Sequence, residues 1–248
     1  MVTPREEVVL SSPLVADPSI TKKTEKRRKK RIGSTVLKKG KQGMYFGVPL
    51  EESFKTVAAM GELHFTEICM NFIAAHGIEA EGLFRISGNG SNIQEWASLI
   101  DSGGLLVFDQ KASIHDATGI LKKYFQELPE RLIPLKYMRA FCATDTDELI
   151  LKRIYVMLDE LPEPNKIVLK NLLQLLHKVS ANSETNKMNI KNLSTCWSPT
   201  VFPEPELPSS SINDKVAMTL LLETTALLNK VLVIMISHTE EICRRIHC

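Results

Sequence analysis

The residues best placed to do chemistry lie in one short loop, at positions 79–90, between two segments whose apolar residues have a helical spacing. Arg85 is in the middle of this loop. Glycines at positions 82, 88 and 90 permit positive φ angles and close approach of the backbone. The composition therefore predicts a shaped loop that holds Arg85 in a defined place. The alternative is an ordinary arginine on an exposed connection.

The rest of the sequence contains no self-contained catalytic motif. It has no GxxxxGKS/T, GxSxG or HExxH pattern. The five cysteines include no CxxC pair, which argues against a zinc site or a disulfide framework and fits reduced thiols in the cytosol. A structural or solvated imidazole is the favoured interpretation for four of the six histidines: His64, His76, His115 and His177. We therefore expect neither a stand-alone enzyme nor a metal site.

Charge is distributed unevenly along the 248 residues, although the net charge is only +2. Between Lys22 and Lys41 there are eleven lysines and arginines against one glutamate. Residues 42–248 carry nineteen basic against twenty-five acidic residues, a net charge of −6. Residues 1–43 also contain few large apolar side chains, so we expect them to form a disordered tail. The remainder has the ordinary composition of a globular domain.

Several roles remain open for the basic cluster at residues 22–41. A tail that improves solubility is the simplest. Binding to anionic lipid head groups and recognition by a nuclear import receptor are the sharper alternatives. Nucleic acid binding is not expected, because no aromatic residues alternate with the basic ones. The sequence therefore predicts a cytoplasmic protein, with the membrane surface and the nucleus as alternatives that depend on this cluster.

From residue 60 onward the apolar residues recur with a helical period, and no sustained alternation typical of strands is present. The predicted helices cover residues 62–76, a segment capped by Ser91, a segment from Asp116 to Pro129, residues 147–161, residues 164–179, a segment capped by Asn189, and a last long helix opened by Asp214 or a neighbour. Residues 198–211, rich in proline and serine, are predicted to be irregular. The predicted fold class is all-α, with one multi-helix domain at residues 44–237, long loops, and a short extension at residues 238–248.

One segment, residues 216–237, has the length and apolar composition of a membrane span. Glu223 and Lys230 lie inside it. Two charges near the middle of a span are costly in a bilayer, whereas on a soluble helix they can occupy the solvent-facing side. We therefore interpret the segment as a buried helix of the domain.

Residues 81–88, Glu-Gly-Leu-Phe-Arg-Ile-Ser-Gly, resemble the arginine-finger loop of Rho GTPase-activating (RhoGAP) domains. Three further segments resemble motifs of this family in the same order and spacing. They are Phe-Gly-Val-Pro-Leu at residues 46–50, the segment from His115 to Glu130 that includes Leu-Lys-Lys-Tyr-Phe-Gln-Glu-Leu-Pro-Glu, and Asn-Lys-Met at residues 186–188 followed by Asn192 and Leu193. The resemblance spans about residues 46–235, and four collinear motifs are far more specific than any one of them.

The resemblance implies an all-helical domain that docks on a Rho-, Rac- or Cdc42-type small GTPase in its GTP-bound form. Arg85 would be the catalytic residue, inserted in trans to stabilise the charge that develops during GTP hydrolysis. Gly82, Phe84, Ser87 and Gly88 would support the loop that carries it. GTP and Mg²⁺ would belong to the partner, so this chain would need no cofactor and would be an activator rather than an enzyme.

The same resemblance places GTPase-binding residues at Lys122, Gln126, Asn192, Pro199 and Thr200. At two of these positions the sequence departs from the family. Gln126 replaces the usual arginine, and a neutral amide offers fewer donors and no charge. Thr200 replaces the asparagine of the usual Gly-Pro-Asn, and its hydroxyl is shorter than a carboxamide. The alternative function is therefore a binding module or scaffold of the same fold that catalyses weakly.

Overall fold

The computed structural model describes residues 43–108, 112–142, 146–205 and 214–246. These residues form eleven helices and no strand: α1 (Leu50–Met60), α2 (Phe65–His76), α3 (Gly90–Asp101), α4 (Ile114–Glu127), α5 (Leu135–Cys142), α6 (Asp147–Glu160), α7 (Glu163–Ala181), α8 (Ser183–Asn186), α9 (Ile190–Val201), α10 (Asp214–Ser237) and α11 (Thr239–Ile246). The predicted all-α class is confirmed for this part of the chain. The predicted tail, with its basic cluster, lies outside the described residues except for residue 43.

Helix α7 is the central element of the domain. It packs against α1, α2, α9, α10 and α11. Its leucines recur at helical spacing and form one fully buried stripe: Leu169, Leu172, Leu173 and Leu176. Helices α3 and α9 pack against α4, which also contacts α2, while α5 and α6 contact α10. The two helices that the RhoGAP resemblance singles out, α4 and α9, are therefore neighbours.

Helix starts depend on which side chain caps the first turn, and one predicted cap and one predicted start are wrong. Asn89, not Ser91, caps α3, because its Oδ1 accepts a hydrogen bond from the N–H of Ser91 at 2.9 Å. Ser113 caps α4, which leaves Asp116 inside the first helical turn. Asn189 caps α9 as predicted, since its Oδ1 accepts from the N–H three residues later at 2.9 Å.

Helix α9 continues through Pro199 and ends at Val201. The prediction that residues 198–211 are irregular is therefore wrong for the first four of them. Leu193, Trp197 and Val201 follow one another at every fourth position and are fully buried, so burial of this stripe favours helix up to its last turn. Pro199 removes one backbone donor but lies close enough to the end of the helix to be accommodated.

Helix α10 contains the long apolar segment, and its two halves differ. The carboxy-terminal half is fully buried at Val231, Leu232, Met235 and Ile236, as predicted. The amino-terminal half leaves its apolar side chains exposed at Val216, Met218, Leu220 and Leu222, so the prediction of a buried helix is wrong there. By length and composition alone, Lys215–Ser237 is long and apolar enough to cross a membrane. Of its most apolar 18-residue stretch, 33% is buried inside the domain.

The predicted extension at residues 238–248 contains a helix that belongs to the domain. Helix α11 packs against α6 and α7, and the side chain of Ile242 is fully buried. Arg245 binds Asp159 of α6 with two hydrogen bonds, 3.0 Å from Nε and 2.5 Å from Nη2. The compact unit therefore extends at least to Ile246 and does not end at residue 237.

Candidate functional site

The loop around Arg85, residues 77–89, connects α2 to α3 and lies against α4 and α9. It is called the finger loop below, after the family motif that residues 81–88 resemble. Lys122 of α4 donates a hydrogen bond from Nζ to the carbonyl oxygen of Phe84 at 3.3 Å. The ring of Phe84 meets the ring of Trp197 in α9 edge to face, with their centroids 5.2 Å apart. The structure thus brings Arg85, Lys122 and α9 to one side of the domain.

The finger loop turns at Gly82, which has a φ of +66°. A side chain there would be strained, and its Cβ would lie 2.8 Å from the side chain of Ile86. The carbonyl oxygen of Gly82 accepts hydrogen bonds from the N–H groups of Arg85 at 2.8 Å and Ile86 at 2.9 Å. The turn predicted at position 82 is therefore confirmed, and it closes directly onto Arg85. Gly90 has no positive φ and is the first residue of α3.

Phe84, immediately before Arg85, has a φ of +69°, which is unusual for a residue with a side chain. Such a conformation costs about 1–2 kcal/mol and persists only where the surroundings enforce it. Here the side chain is only 3% exposed and packs against Trp197, while its carbonyl oxygen binds Lys122. Burial of the ring thus holds the backbone in a strained turn next to the exposed arginine.

The side chain of Arg85 is exposed and lies back over the turn. Its Nη2 atom is 3.5 Å from the position that a Cβ on Gly82 would occupy. Burial lowers the pKa of Lys122, and burial also raises the pKa of the half-buried thiol of Cys196 in α9. The positive charges of Lys122 and Arg85 oppose the rise at Cys196, so both cations lie within electrostatic reach of this residue.

Asn186 fixes the amino-terminal part of the finger loop by hydrogen bonds. Its carbonyl oxygen accepts a hydrogen bond from the N–H of Gly82 at 2.8 Å, and its Nδ2 donates to the carbonyl oxygens of Ile78 at 2.7 Å and Val179 at 2.8 Å. Its Oδ1 accepts from the N–H of Met188 at 2.7 Å. The side chain is fully buried. The sequence placed Asn186 in a family motif but did not predict that it contacts this loop.

Asp116 of α4 fixes the carboxy-terminal end of the finger loop. Its Oδ1 accepts from the N–H of Asn89 at 2.6 Å, and its Oδ2 accepts from Nδ2 of Asn92 at 2.8 Å. Gly88 passes so close that a Cβ there would lie 2.6 Å from both the Asp116 carboxylate and the carbonyl oxygen of His115. Gly88 has no positive φ, so the predicted close approach is the reason for glycine at this position. Ser87, predicted to support the loop, is exposed.

The residues predicted to bind a GTPase lie on α4 and α9 with different exposure. Gln126 is one helical turn beyond Lys122 and is exposed, as is Pro199. Asn192 is partly exposed and donates from Nδ2 to the carbonyl oxygen of Lys187 at 3.0 Å. Thr200 is only 1% exposed, so its hydroxyl does not form part of the surface. A direct contact of Thr200 with a docked protein would require the end of α9 to move.

A cation near Gln126 was not predicted. Arg131, five residues further along the chain, donates from Nη1 to the carbonyl oxygen of Phe125 at 3.1 Å and also to that of Gln126. A positive charge at the carboxy-terminal end of a helix is favourable, because the last carbonyl groups carry partial negative charge. The end of α4 therefore carries a guanidinium group even though position 126 is neutral.

Five buried side-chain polar atoms of the described residues have no hydrogen-bond partner, and three of them belong to α4 or α9: Nδ1 of His115, Nε1 of Trp197 and Oγ1 of Thr200. Within the same described residues, no three His, Cys, Asp or Glu side chains are grouped to hold a metal ion.

This chain is similar to known proteins over most of its described length. A family model described as RhoGAP domain matches residues 64–206. Rho GTPase-activating protein 24 of Mus musculus is 31% identical over 175 residues, which are 67% of this chain and 23% of that protein. Rho GTPase-activating protein gacY of Dictyostelium discoideum is 32% identical over 166 residues, 65% of this chain and 23% of that protein. The matched region is thus 23% of the length of each of these relatives.

Two solved structures have the same fold. Human Rho GTPase activating protein 15 superimposes with a TM-score of 0.69 at 24% identity, covering 81% of this chain and 92% of that one. The BH domain from Graf, the GTPase regulator associated with focal adhesion kinase, has a TM-score of 0.62 at 26% identity, covering 73% of this chain and 94% of that one. Because the family model matches more than half of the chain, this chain belongs to the RhoGAP domain family.

Proposed function

We propose that this chain accelerates GTP hydrolysis by a Rho-family small GTPase, of the Rho, Rac or Cdc42 type, and that Arg85 is the arginine it inserts into the partner's nucleotide site. The GTPase would be in its GTP-bound form and would supply both GTP and Mg²⁺. This chain would contribute one catalytic side chain and the docking surface, and would have no cofactor of its own.

The observation that carries the proposal is the placement of Arg85. Its side chain is exposed, while the loop on either side of it is fixed by buried groups: Asn186 at one end and Asp116 at the other. The residue before it is held in a strained backbone conformation. A surface arginine without a function needs none of these constraints, whereas a catalytic one gains from having its position fixed in advance.

The chemistry requires a guanidinium group. During phosphoryl transfer, negative charge develops on the transferring phosphoryl group and on the leaving oxygen, and a cation placed there stabilises the transition state more than the ground state. In other GTPase systems an arginine finger accelerates hydrolysis by about 10³–10⁵, which corresponds to about 4–7 kcal/mol. Lysine is a poor substitute, because it lacks the planar fork that spans two oxygen atoms.

A second candidate function is a GTPase-binding module that catalyses weakly. Two observations favour it. The neutral side chain of Gln126 is exposed on α4, and Thr200 is buried where the family usually has an asparagine that contacts the GTPase. Arg131 favours the catalytic proposal instead, because it restores positive charge at the end of α4 next to Gln126. Both functions predict binding to the GTP-bound GTPase, but they predict different rates of GTP hydrolysis.

The experiment that separates them is single-turnover GTP hydrolysis by Rho-, Rac- and Cdc42-type proteins, with this chain and with Arg85→Ala and Arg85→Lys. We expect the wild-type chain to accelerate at least one of them and Arg85→Ala to lose about 10³-fold in rate. Binding to the GTP-loaded partner should change by less than about threefold, because the finger acts mainly in the transition state.

Arg153→Ala is the matched control, since Arg153 is an exposed arginine on α6, which packs against α5, α10 and α11. It should leave the rate unchanged. Binding of the wild-type chain without acceleration of any of the three GTPases would support the binding module and reject the catalytic proposal. Equal rates of GTP hydrolysis with Arg85→Ala and with the wild-type chain would reject Arg85 as the catalytic residue.

For the basic cluster we propose a role in location rather than catalysis. The cytoplasm is the proposed compartment, and eleven basic residues between Lys22 and Lys41 could bind an anionic membrane surface or an import receptor. Reversing the charges at residues 26–31 should weaken binding to vesicles that contain phosphatidylserine, or abolish nuclear entry. An unchanged distribution would leave only a role in solubility.

A further inference from the structure

We infer that Asp116 is a positioning residue for Arg85: its carboxylate fixes the carboxy-terminal end of the finger loop to α4. The inference rests on the proposed function, because it assigns Asp116 to the placement of the proposed finger. Asp116 does not touch the nucleotide in this proposal and acts only through the loop.

The carboxylate of Asp116 joins two helix starts. Asp116 lies in the first turn of α4, and its oxygens accept from Asn89, the cap of α3, at 2.6 Å, and from Nδ2 of Asn92 in the first turn of α3, at 2.8 Å. Negative charge is favourable at the amino-terminal end of a helix, so two helices stabilise one carboxylate. The group is 2% exposed, so it has little access to water as an alternative partner.

The same contact explains Gly88. With any larger residue there, the Cβ would lie within 2.7 Å of the backbone of His115 and Asp116 as well as of the carboxylate. Backbone atoms cannot move aside as the end of a side chain can, so the loop itself would have to shift. Glycine at position 88 and aspartate at position 116 therefore form one close contact that sets the distance between the loop and α4.

Arg85 lies between two anchors of the finger loop that differ in strength. On one side, the turn at Gly82 is bonded to Asn186, and Lys122 binds the carbonyl oxygen of Phe84. On the other side, residues 86 and 87 are exposed, although the N–H of Ile86 still bonds to Gly82, and the next fixed point is the Asp116 contact. Among the described residues, that contact is the only hydrogen bond that ties residues 87–89 to another element before α3 begins. A displacement of about 1 Å at a catalytic group can cost about 10²-fold in rate.

The test compares Asp116→Ala with a variant that removes the same kind of anchor elsewhere. Asp101 accepts from the N–H groups of Tyr45 at 2.9 Å and Phe46 at 3.1 Å, in the segment that precedes α1. Asp101→Ala therefore removes one carboxylate and two hydrogen bonds from backbone N–H groups at the end of α3 that is opposite to the finger loop. Single-turnover hydrolysis is measured against the concentration of this chain, which separates the maximal rate from the half-saturating concentration.

We expect Asp116→Ala to lower the maximal rate by about 10–100-fold, with a change of less than about threefold in the half-saturating concentration. Asp116→Asn keeps an acceptor oxygen for Asn89 and should lose less. Gly88→Ala should reproduce the loss, and adding it to Asp116→Ala should cause little further loss, because both break one contact. Asp101→Ala should lower the unfolding midpoint while leaving the maximal rate unchanged.

The inference is overturned if Asp116→Ala loses no more rate than Asp101→Ala, or if its whole effect is on the half-saturating concentration. If Asp116→Ala does not fold, Asp116→Asn and Gly88→Ala decide the question by the same two readouts. If the wild-type chain accelerates no GTPase, the proposed function fails separately. Amide hydrogen exchange at residues 86–89 then decides: faster exchange in Asp116→Asn than in wild type supports the anchor, and equal exchange rejects it.

Discussion

Two irregular segments of the domain use the same backbone devices for different purposes. The lead segment, residues 43–49, and the finger loop each contain a glycine with positive φ, Gly47 at +70° and Gly82 at +66°. Each is also tied to a helix by an aspartate that accepts from backbone N–H groups, Asp101 for the lead segment and Asp116 for the finger loop. Fixing a loop in this fold therefore takes only a few polar contacts.

The two segments differ in the side chains between those contacts. In the lead segment, Tyr45 and Val48 are buried, and Tyr45 meets Phe65 edge to face with the ring centroids 4.9 Å apart. In the finger loop, residues 85–87 are exposed and the buried Phe84 is strained. The lead segment completes the core, whereas the finger loop uses the core to present an arginine. Changes in the lead segment should therefore affect stability alone, and changes in the finger loop should affect rate as well.

Truncating one buried aromatic ring in each segment is the strongest test of this difference. Phe84→Ala and Tyr45→Ala should each lower the free energy of unfolding by about 3–5 kcal/mol, because both remove a large buried side chain. Only Phe84→Ala should also lower the maximal rate of GTP hydrolysis, because the Phe84 ring holds the backbone next to Arg85. Urea unfolding and single-turnover hydrolysis, both at a temperature where the two variants are folded, measure these effects. Equal loss of rate in both variants would contradict the comparison.

His64, which packs against Tyr45 of the lead segment, should make the stability of the domain sensitive to acid. The imidazole stacks on Phe54 with centroids 4.3 Å apart, contacts Tyr45, and is buried, which lowers its pKa to about 3. Its pKa in the unfolded chain is about 6.5, so below that pH the unfolded state binds a proton that the folded state does not. The associated stability is fully present above pH 6.5 and is lost progressively as the pH falls toward 3.

We therefore expect the free energy of unfolding to fall by about 2 kcal/mol between pH 8 and pH 5 on account of His64 alone. His64 also caps α2, since its Nδ1 accepts from the N–H of Thr66 at 3.4 Å. His64→Asn keeps a side chain that can cap this helix but does not titrate in this range, so it is the control. Urea unfolding at pH 8, 6.5 and 5 should show a shallower dependence on pH in the variant. Parallel curves for the two proteins would show that His64 does not titrate with the expected pKa.

The sequence predicted those helices whose apolar residues repeat over several turns, such as α2, α4 and α7. It missed α1 and the short helices α5, α8 and α11, and it did not show that the two halves of α10 differ in burial. Six of the twelve residues at 214–225 are apolar, against nine of the twelve at 226–237, so both halves of α10 offer apolar side chains to the core. Which of those side chains are covered depends on the position of the neighbouring helices, and that position is a property of the assembled fold.

In the candidate site, the local features were predictable and the distant ones were not. Arg85 and the turn at Gly82 follow from residues that are neighbours in the chain. Asn186 contacts Ile78 across 108 residues, and Asp116 contacts Asn89 across 27. A polar side chain that supports a loop from another helix carries no local signal of its own, because its partners are backbone atoms that every residue has.

The smallest effects on stability are expected from substituting Gly47 and Gly82. These substitutions test the backbone conformation separately from the packing of large side chains. Gly47→Ala and Gly82→Ala both place a Cβ at positive φ, which costs about 1 kcal/mol. At Gly47 nothing lies within 4 Å of the new Cβ, and at Gly82 the nearest atoms belong to the exposed and movable end of Ile86. The loss of stability should therefore be similar in both variants.

The maximal rates of GTP hydrolysis with these two variants should nevertheless differ. The Cβ at position 82 would lie 3.5 Å from Nη2 of Arg85, which is an ordinary contact, but only 2.8 Å from the side chain of Ile86. Ile86, whose N–H closes the turn, would therefore have to shift beside Arg85. We expect Gly82→Ala to lose a few-fold in maximal rate and Gly47→Ala to lose none, measured by single-turnover hydrolysis beside urea unfolding. A rate loss in both would mean that general destabilisation slows the reaction. A loss in neither would mean that Arg85 is placed by its anchors alone, independently of the turn that precedes it.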